Sequence, residues 1–543
     1  MTIELRRFSP WLAAIISGAL LVLSFPKFEF SFLAWIALAP LLFVITQPEQ
    51  TLRRAFALGW VTGFVFFFFS CNWITHSMIQ YGGMNVILAY AAAALFTAIT
   101  GFFPALFALA ITRVQKVFGL WALGLAPALW VTTEWLRGVV TGVTWNALGV
   151  SQVNQPTIAH FAQIGGTWLI SSGLVASSAT IVLLIHRKTP ATRRIFIVFL
   201  LMLLILVLVD LSYTPSSLTK ANPTEVTVAG IQPNIPVDIL TNPSEFSQRN
   251  TNGLETNLKL TREAITQSPR KKADIVVWAE SPLVLNYEQD EAARNKLNAL
   301  AQEHHAYLIF SALGHEGENV YNSVQTISPD GKALKRYDKM RLVPFGEYVP
   351  FRAMLGAFVP AMVGDFTPGK TATINSLKLA SELAIVQSES ETQGEVALER
   401  TTDFVKTGTF ICYEAAYPNL VRQFVINGAS LLINVSDDAW FGNSAGAQQH
   451  LNHARMRAIE TNRDIVRVTN SGISALIKAD GSVVDPLPTF TTTSKVWTAE
   501  KRASVTLYTR RSDWIVILCT IISAIAIGAS FVYYSRAPEK SQI

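Results

Sequence analysis

Long apolar stretches dominate the first two fifths of the chain and recur once near its end. A helix crosses the hydrocarbon core of a bilayer with about 17–25 predominantly apolar residues, and eight stretches approach that length. The pattern therefore predicts seven transmembrane helices, a long polar region and an eighth transmembrane helix. The predicted spans are residues 10–25, 29–46, 55–75, 85–111, 118–136, 158–186, 194–212 and 513–534.

The pattern changes between about residues 224 and 508, where short apolar runs alternate with polar, helix-like segments. Alternating strands and helices are typical of a layered α/β domain. The polar, acidic stretch 378–400 is interpreted as a surface insertion. The predicted strands include 226–231, 275–278, 307–310, 409–412 and 431–435, and the predicted helices include 246–268, 287–303 and 447–463.

These two patterns divide the chain into three predicted parts. Residues 1–215 are expected to form a membrane domain with about seven transmembrane helices, and 224–508 an α/β domain. Residues 513–534 form a C-terminal transmembrane helix.

Composition supports a membrane protein. Half of the 543 residues are hydrophobic and only 15% are charged, whereas soluble domains carry about 25% charge. The net charge of +6 is small for this length and gives no reason to expect nucleic-acid binding.

The distribution of basic residues predicts the orientation of the spans. Basic residues lie at the start of the chain and in every second loop, while the intervening loops hold only Lys27 and Arg137. Because loops rich in Lys and Arg stay in the cytoplasm, the α/β domain is expected on the outer side. Arg510 and Arg511, before the last span, depart from this rule. The basic clusters are Arg6 and Arg7, Arg53 and Arg54, Arg113 and Lys116, and the segment 186–194.

The chain has three cysteines, and only one lies in the polar region. Cys71 and Cys519 fall in apolar stretches, which leaves Cys412 in the α/β domain. This usage excludes a disulfide framework and zinc sites built on paired cysteines. Cys412 taken alone is either a buried filler or a reactive thiol.

Three functional groups lie at or just beyond the ends of predicted strands of the α/β domain: Glu280, Lys339 and Cys412. Ligands of α/β sheets bind beyond the carboxyl ends of the strands, so this placement permits the three to meet. A thiol needs a base or a nearby cation before it attacks a carbonyl group. The carboxylate can take the thiol proton, and the ammonium can stabilise the thiolate and an oxyanion.

The neighbourhoods of these residues resemble the three catalytic blocks of the carbon–nitrogen hydrolase (nitrilase) superfamily. The blocks are WAESP at 278–282, YDKMRLVPFGEYVP at 337–350 and ICYE at 411–414. The longest block is similar to the form found in apolipoprotein N-acyltransferases. Further segments resemble that family: WNALG at 145–149, QIGG at 163–166, DAWFG at 438–442, QHL at 449–451 and ARMRAIE at 454–460.

The resemblance implies a multi-span α-helical membrane domain that carries a nitrilase-like αββα sandwich. It also implies a reaction in which Cys412 takes a fatty acyl chain from a phospholipid as a thioester. The chain then passes to the N-terminal diacylglyceryl-cysteine of a lipoprotein. Glu280 is expected to act as the general base and Lys339 as the oxyanion partner.

The same resemblance assigns supporting roles to Glu347, Tyr413 and Glu414, which match positions beside the family's catalytic residues. Glu347 would orient the lysine or assist proton transfer, and the other two would shape the site. No cofactor or metal is expected. The implied location is the bacterial inner (plasma) membrane, with the catalytic domain on the periplasmic side, and a monomer is expected.

The sequence departs from the family pattern at several positions. Residues 237–241 hold no aromatic residue, although many members have a tryptophan there. Asp437 stands where asparagine is usual, and Ala447 where proline is common. These departures concern the edge of the site and leave its catalytic residues intact.

Three alternative functions remain open at the level of sequence. The first is a membrane-tethered nitrilase-type amidase or hydrolase, which would use the same three residues with water as the acceptor. The second is a transporter with an outer sensing domain, although the spans hold few charges. The third is a catalytically inactive nitrilase-like module that binds a partner.

Overall fold

The computed structural model describes residues 9–186, 197, 225–237, 243–280, 283, 285–349, 365–380, 384–385, 398–399 and 402–536. Its contacts divide the chain into two compact units. The helical unit comprises Met1–Thr219, Trp440–Thr461 and Thr506–Ile543, and the α/β unit comprises Lys220–Ala439 and Asn462–Val505. The segment 440–461 lies inside the predicted domain 224–508 but groups with the helical unit. The domain boundaries 1–215, 224–508 and 513–534 stay a prediction.

The helices are numbered in chain order over the described residues. They are α1 Pro10–Leu23, α2 Ala39–Ile45, α3 Leu52–Ser70, α4 Ile74–Gln80, α5 Val86–Phe118, α6 Ala122–Thr141, α7 Pro156–Ala159, α8 Ala162–Ile185, α9 Pro243–Gln267, α10 Glu291–His304, α11 Pro418–Ile426, α12 Gly446–Thr461, α13 Leu507–Arg511 and α14 Trp514–Arg536.

The strands are numbered in the same way. They are β1 Glu225–Gln232, β2 Ile275–Trp278, β3 Tyr307–Glu316, β4 Asn319–Ile327, β5 Tyr337–Asp338, β6 Ile374–Ala380, β7 Ala384–Ile385, β8 Leu398–Glu399, β9 Thr402–Ile411, β10 Leu431–Ser436, β11 Ile465–Thr469, β12 Ala475–Ile477, β13 Val483–Val484 and β14 Thr493–Glu500.

Several described helices have the length and composition of membrane spans. Four stretches qualify, and the longest of them contains both α5 and α6, joined by the short turn Gly119–Trp121. The predicted spans at 55–75, 85–111, 118–136, 158–186 and 513–534 therefore fall on α3, α5, α6, α8 and α14. The four stretches are Leu52–Ser70, Val86–Thr141, Ala162–Ile185 and Trp514–Tyr533.

The first two predicted spans are shorter in the structure than a full crossing. Helix α1 has 14 residues, and the stretch 29–46 is divided into a 3-10 helix, Ser31–Trp35, and α2. Pro40 lies in the first turn of α2, where a residue without an N–H is tolerated but cannot continue an upstream helix. The predicted span 194–212 lies outside the described residues, apart from residue 197, so the count of eight spans stays a prediction.

Small residues let α3 and α5 pack closely. A Cβ atom added to Gly59 would lie 2.5 Å from the carbonyl oxygen of Pro104, and one added to Gly63 would lie 2.8 Å from the Cα of Gly101. Such backbone approaches are typical of helix pairs in membranes, where packing replaces the hydrophobic effect. The pairing also shows that α3 and α5 run antiparallel.

The α/β unit consists of two six-stranded sheets that face each other. One sheet has the order β14-β1-β2-β3-β4-β5 and the other has the order β13-β12-β11-β10-β9-β6. Strands β1 to β3 are parallel, and so are β9 to β11. A Cβ atom on Gly230 of β1 would lie 3.0 Å from the side chain of Val468 of β11, which belongs to the other sheet.

Helices cover the outer faces of both sheets. Leu254 and Leu258 of α9 and Leu297 and Leu300 of α10 pack into the apolar core on one side. On the other side, Phe424 of α11 lies over Gly408 of β9. The result is an αββα arrangement, whose parallel central strands end at a common edge.

The elements predicted between residues 224 and 508 agree closely with the structure. The helices predicted at 246–268, 287–303 and 447–463 are α9, α10 and α12, and the five predicted strands are β1, β2, β3, β9 and β10. Within the stretch 378–400, β7 pairs antiparallel with β8. The remainder of that stretch beyond β6 lies outside the described residues, so its interpretation as a surface insertion stays a prediction.

We expect Gly59→Ala to lower the free energy of unfolding by about 1–3 kcal/mol, because the added methyl group meets the backbone of α5. Thermal unfolding in detergent micelles measures the effect. Gly124→Ala is the matched control, since a Cβ atom there meets nothing within 4 Å and alanine favours the helix. Equal stability of the two variants would contradict the close packing of α3 and α5.

Candidate active site

The structure brings Glu280 and Lys339 together beyond the ends of their strands. Glu280 follows β2 and Lys339 follows β5. The Nζ of Lys339 lies 3.3 Å from Oε1 of Glu280 and 2.8 Å from Oε1 of Glu347. Glu280 and Lys339 therefore lie side by side, as their positions at the ends of strands permitted.

Lys339 is a buried cation whose charge is balanced by carboxylates. Its side chain is 1% exposed. Burial by itself lowers the pKa of this ammonium group, but the carboxylates of Glu280 and Glu347 outweigh burial and raise the pKa well above its ordinary value. The lysine therefore keeps its positive charge at neutral pH.

Asn322 on β4 joins the two carboxylates. Its Nδ2 donates hydrogen bonds to Oε1 of Glu280 at 2.9 Å and to Oε1 of Glu347 at 2.6 Å. The second oxygen of Glu347 accepts a hydrogen bond from the N–H of Val343 at 2.8 Å. Each carboxylate is thus fixed by neutral donors in addition to the lysine.

Cys412 lies at the turn where β9 passes into the 3-10 helix Cys412–Ala416. Its φ of 52° is in the left-handed region, which costs a residue with a side chain roughly 1–2 kcal/mol. Ile411 pairs with Val435 in the neighbouring strand, so Ser436 lies beside the thiol and forms a hydrogen bond with it. The strained turn directs Cys412 out of the strand.

The thiol of Cys412 is protonated at neutral pH. Burial and the nearby carboxylate of Glu280 raise its pKa, and these effects exceed the opposing ones of Lys339 and Ser436. A thiol in this state needs a base at the moment of attack. The carboxylate of Glu280 lies close enough to influence this thiol.

Glu414 fastens the turn of Cys412 to the loop of Lys339. Its buried carboxylate accepts hydrogen bonds from the N–H groups of Ile411, Met340 and Arg341 at 2.8, 2.7 and 3.0 Å. It also accepts one from the hydroxyl of Tyr337 at 2.8 Å. Burial raises the pKa of Glu414 to about 7. The geometry indicates a positioning role, because its donors lie in both loops.

Tyr413 is half-buried, and its ring packs edge-on against Tyr417 with centroids 5.3 Å apart. Arg341 lies over the other aromatic ring of this pair, with its Cζ 5.5 Å from the centroid of Tyr417. These rings form one wall beside the turn that carries Cys412.

A buried network that sequence reasoning missed supports Ser436. Its hydroxyl donates to Oδ1 of Asp438 at 2.8 Å, and Arg467 donates to Oδ2 of the same carboxylate at 2.7 Å. Arg467 also donates to Asn434. A Cβ atom on Gly472 would lie 2.3 Å from Oδ2 of Asp438, so glycine is required where this carboxylate packs.

The surroundings of Asp437 account for an aspartate at a position where the family usually has asparagine. Its N–H donates to Oε2 of Glu280 at 3.2 Å. Its carboxyl group accepts hydrogen bonds from the N–H of Ala439 at 3.0 Å and from Asn470 at 3.2 Å. Burial, aided by Glu280, raises the pKa of Asp437 to about 8. At neutral pH the residue is protonated and uncharged, as an asparagine would be.

No cluster of three or more His, Cys, Asp and Glu side chains suited to a metal ion occurs among the described residues. His450 and His453 of α12 are buried in the helical unit, where the ring of Trp145 packs against both.

Two facing sheets that gather a glutamate, a lysine and a cysteine at one edge define a carbon–nitrogen hydrolase domain of the nitrilase type. Residues 227–510 match the carbon–nitrogen hydrolase family model. Residues 17–180 match the model of the apolipoprotein N-acyltransferase N-terminal domain.

Curated relatives resemble this chain over most of its length. An apolipoprotein N-acyltransferase of Geobacter metallireducens is 30% identical over 535 residues, which cover 96% of this chain and 95% of the relative. One of Vibrio cholerae is 30% identical over 498 residues, which cover 89% of each chain. The chain belongs to the apolipoprotein N-acyltransferase family.

This membership confirms the resemblance drawn from the sequence motifs. The predicted fold class, a multi-span helical membrane part and a nitrilase-like α/β domain, is confirmed, and so is the prediction of an acyltransferase enzyme. A transporter, an inactive binding module and an amidase are not favoured. The long apolar helices and the family together identify a membrane protein.

We expect the rate of acyl-enzyme formation to fall as the pH rises through about 8, where Asp437 ionises. Below that pH the side chain is neutral; above it, a second anion lies beside Glu280 and opposes a negative charge on sulfur or on the oxyanion. Asp437→Asn stays neutral throughout and is expected to keep its rate on the alkaline side. Rate–pH profiles of both proteins test this, and superimposable profiles would disprove it.

Proposed function

We propose that this protein moves a fatty acyl chain from a phospholipid to the N-terminal diacylglyceryl-cysteine of a lipoprotein, through a thioester on Cys412. The observation that supports the proposal most directly is the buried ammonium of Lys339 between two carboxylates, 3.3 Å from Glu280 and 2.8 Å from Glu347. Relatives along nearly the whole chain are apolipoprotein N-acyltransferases.

In the first half-reaction the sulfur of Cys412 attacks the ester carbonyl carbon of the phospholipid. The carboxylate of Glu280 takes the thiol proton, and the oxyanion of the tetrahedral intermediate is stabilised by the ammonium of Lys339. Collapse of the intermediate breaks the ester C–O bond. The lysophospholipid leaves as an alcohol after taking the proton from Glu280, and the acyl chain remains on sulfur.

In the second half-reaction the α-amine of the acceptor attacks the thioester carbonyl. Glu280 takes a proton from the attacking nitrogen, and Lys339 again stabilises the oxyanion. The C–S bond breaks, the sulfur recovers a proton and the amide product leaves. An amide is more stable than the thioester it replaces, so the step needs no cofactor.

Glu347, Tyr413 and Glu414 support this chemistry without forming bonds to the acyl group. Glu347 accepts hydrogen bonds from the ammonium of Lys339 and from the side-chain amide of Asn322. Glu414 holds the loop of Lys339 against the turn of Cys412. Tyr413 and its neighbour Tyr417 form the aromatic wall beside that turn.

We infer that the chain is a multi-pass protein of the bacterial inner (plasma) membrane, with its α/β unit on the periplasmic side. Arg53 and Arg54 begin α3, and Lys116 lies in the last turn of α5. Since these helices are antiparallel, the basic residues lie at one end of the helical unit, as expected for a cytoplasmic end. A monomer is supported because one chain supplies every group of the site.

We expect Cys412→Ala to abolish the covalent acyl adduct, because the variant lacks the proposed nucleophile. Incubation with acyl-labelled phospholipid, followed by hydroxylamine treatment, measures the adduct. Cys71→Ala and Cys519→Ala are the matched controls and are expected to keep a hydroxylamine-labile label. Labelling of the Cys412→Ala protein would refute the assignment.

We also expect Glu280→Gln to slow acyl-enzyme formation by about 10²–10⁴-fold, because the thiol then lacks its base. Single-turnover labelling measures the rate directly. Glu288→Gln is the control, since Glu288 is exposed and pairs with Arg336. A near-normal rate in Glu280→Gln would assign the proton transfer to another group. Hydrolysis of the donor without transfer to an amine would instead favour an amidase-like enzyme.

A further inference from the structure

The loop that carries Glu347 is a rigid turn. The N–H of Phe345 donates to the carbonyl oxygen of Tyr348 at 2.8 Å, and the N–H of Glu347 donates to that of Val343 at 2.9 Å. The carboxylate of Glu347 is in turn fixed by Lys339 and by the N–H of Val343. The tip of this turn therefore holds a fixed position relative to the lysine ammonium.

Phe345 at that tip is both exposed and strained. Its side chain is 51% exposed, and its φ of 60° lies in the left-handed region. A bulky residue in this conformation costs roughly 1–2 kcal/mol, which glycine would avoid. Because about half of the residue's surface stays exposed, Phe345 gains only part of the free energy that full burial would give.

The residues before Phe345 extend its apolar surface. Leu342, Val343 and Pro344 are each partly exposed, so four consecutive apolar residues face outward next to a charged site. Exposed apolar surface beside a charged site is suited to binding an apolar ligand. Its linear form and its lack of polar side chains suit a hydrocarbon chain better than a polar headgroup.

We propose that Phe345, with the run Leu342–Pro344, binds the acyl chain of the phospholipid donor and so makes the site selective for long-chain lipid esters. This inference rests on the proposed function and deepens it by assigning the residue that selects the donor. The turn fixes the phenyl group relative to Lys339, and a chain lying along it is held with its ester group at the site.

The test uses the full-length protein in mixed micelles and two variants of one residue. Phe345→Ala removes the phenyl group and keeps the strained backbone, whereas Phe345→Gly removes both. Acylation of Cys412 is measured with a long-chain phosphatidylethanolamine and with p-nitrophenyl acetate, a soluble ester without a long chain. Phe404→Ala is the matched control, because Phe404 is also 51% exposed. It lies near the start of β9, whereas Cys412 follows the end of that strand.

We expect both Phe345 variants to lose on the order of 10-fold or more in kcat/KM for the phospholipid, since contacts in apolar pockets contribute about 10–200-fold. Their rates with p-nitrophenyl acetate are expected to equal that of the unaltered protein. The Phe345→Gly protein is also expected to have a higher Tm than Phe345→Ala, because glycine relieves the backbone strain. Phe404→Ala is expected to change neither rate.

Three results would overturn the inference. Unchanged phospholipid kinetics in both Phe345 variants would remove the acyl-chain contact. Equal loss with both esters would show damage to the catalytic residues instead. Normal acylation with slowed transfer to a diacylglyceryl-cysteine peptide would assign Phe345 to the acceptor. Failure of the proposed function is distinct from these outcomes, since the unaltered protein would then form no acyl adduct with the phospholipid.

Discussion

A positive charge buried away from water is stable only when negative groups lie beside it. The site depends on this neutralisation of the Lys339 ammonium by neighbouring carboxylates. The lysine is 1% exposed and is held between the carboxylates of Glu280 and Glu347. Removing one partner of a buried ion pair costs about 3–5 kcal/mol. The two glutamates come from separate segments of one sheet, so the ion pairs fix both the catalytic geometry and the approach of those segments.

This constraint shapes the chemistry as well as the fold. Burial and the nearby carboxylate of Glu280 raise the pKa of the Cys412 thiol and keep it protonated, while Lys339 stays positively charged. In the proposed mechanism the thiol stays neutral until a substrate binds, and the charges of the site become most favourable in the tetrahedral intermediate. Asp437 fits this scheme, because its protonated carboxyl group adds a dipole without adding a charge.

Some residues of the site could be predicted from the local sequence pattern, and others could not. Strand β2 and the last residues of β9 are short apolar runs, so the places where these strands end, and with them Glu280 and Cys412, were predictable. Asn322, Ser436 and Arg467 were not, because each is a polar residue inside a strand and its hydrogen-bond partners lie outside that strand. A polar side chain buried among apolar neighbours was the one available signal, and burial is not visible before the fold is known. The second predicted span was too long because apolar composition does not register the interruption before Pro40.

The segment 440–461 affects where this chain can be divided into domains. Because it groups with the helical unit while its flanks belong to the α/β unit, the chain passes between the two units four times. The carbon–nitrogen hydrolase match, residues 227–510, nevertheless includes helix α12, so a boundary drawn from the contacts alone would remove a helix that the family model contains. Fusion or truncation at one linker therefore does not treat the two units as exchangeable modules.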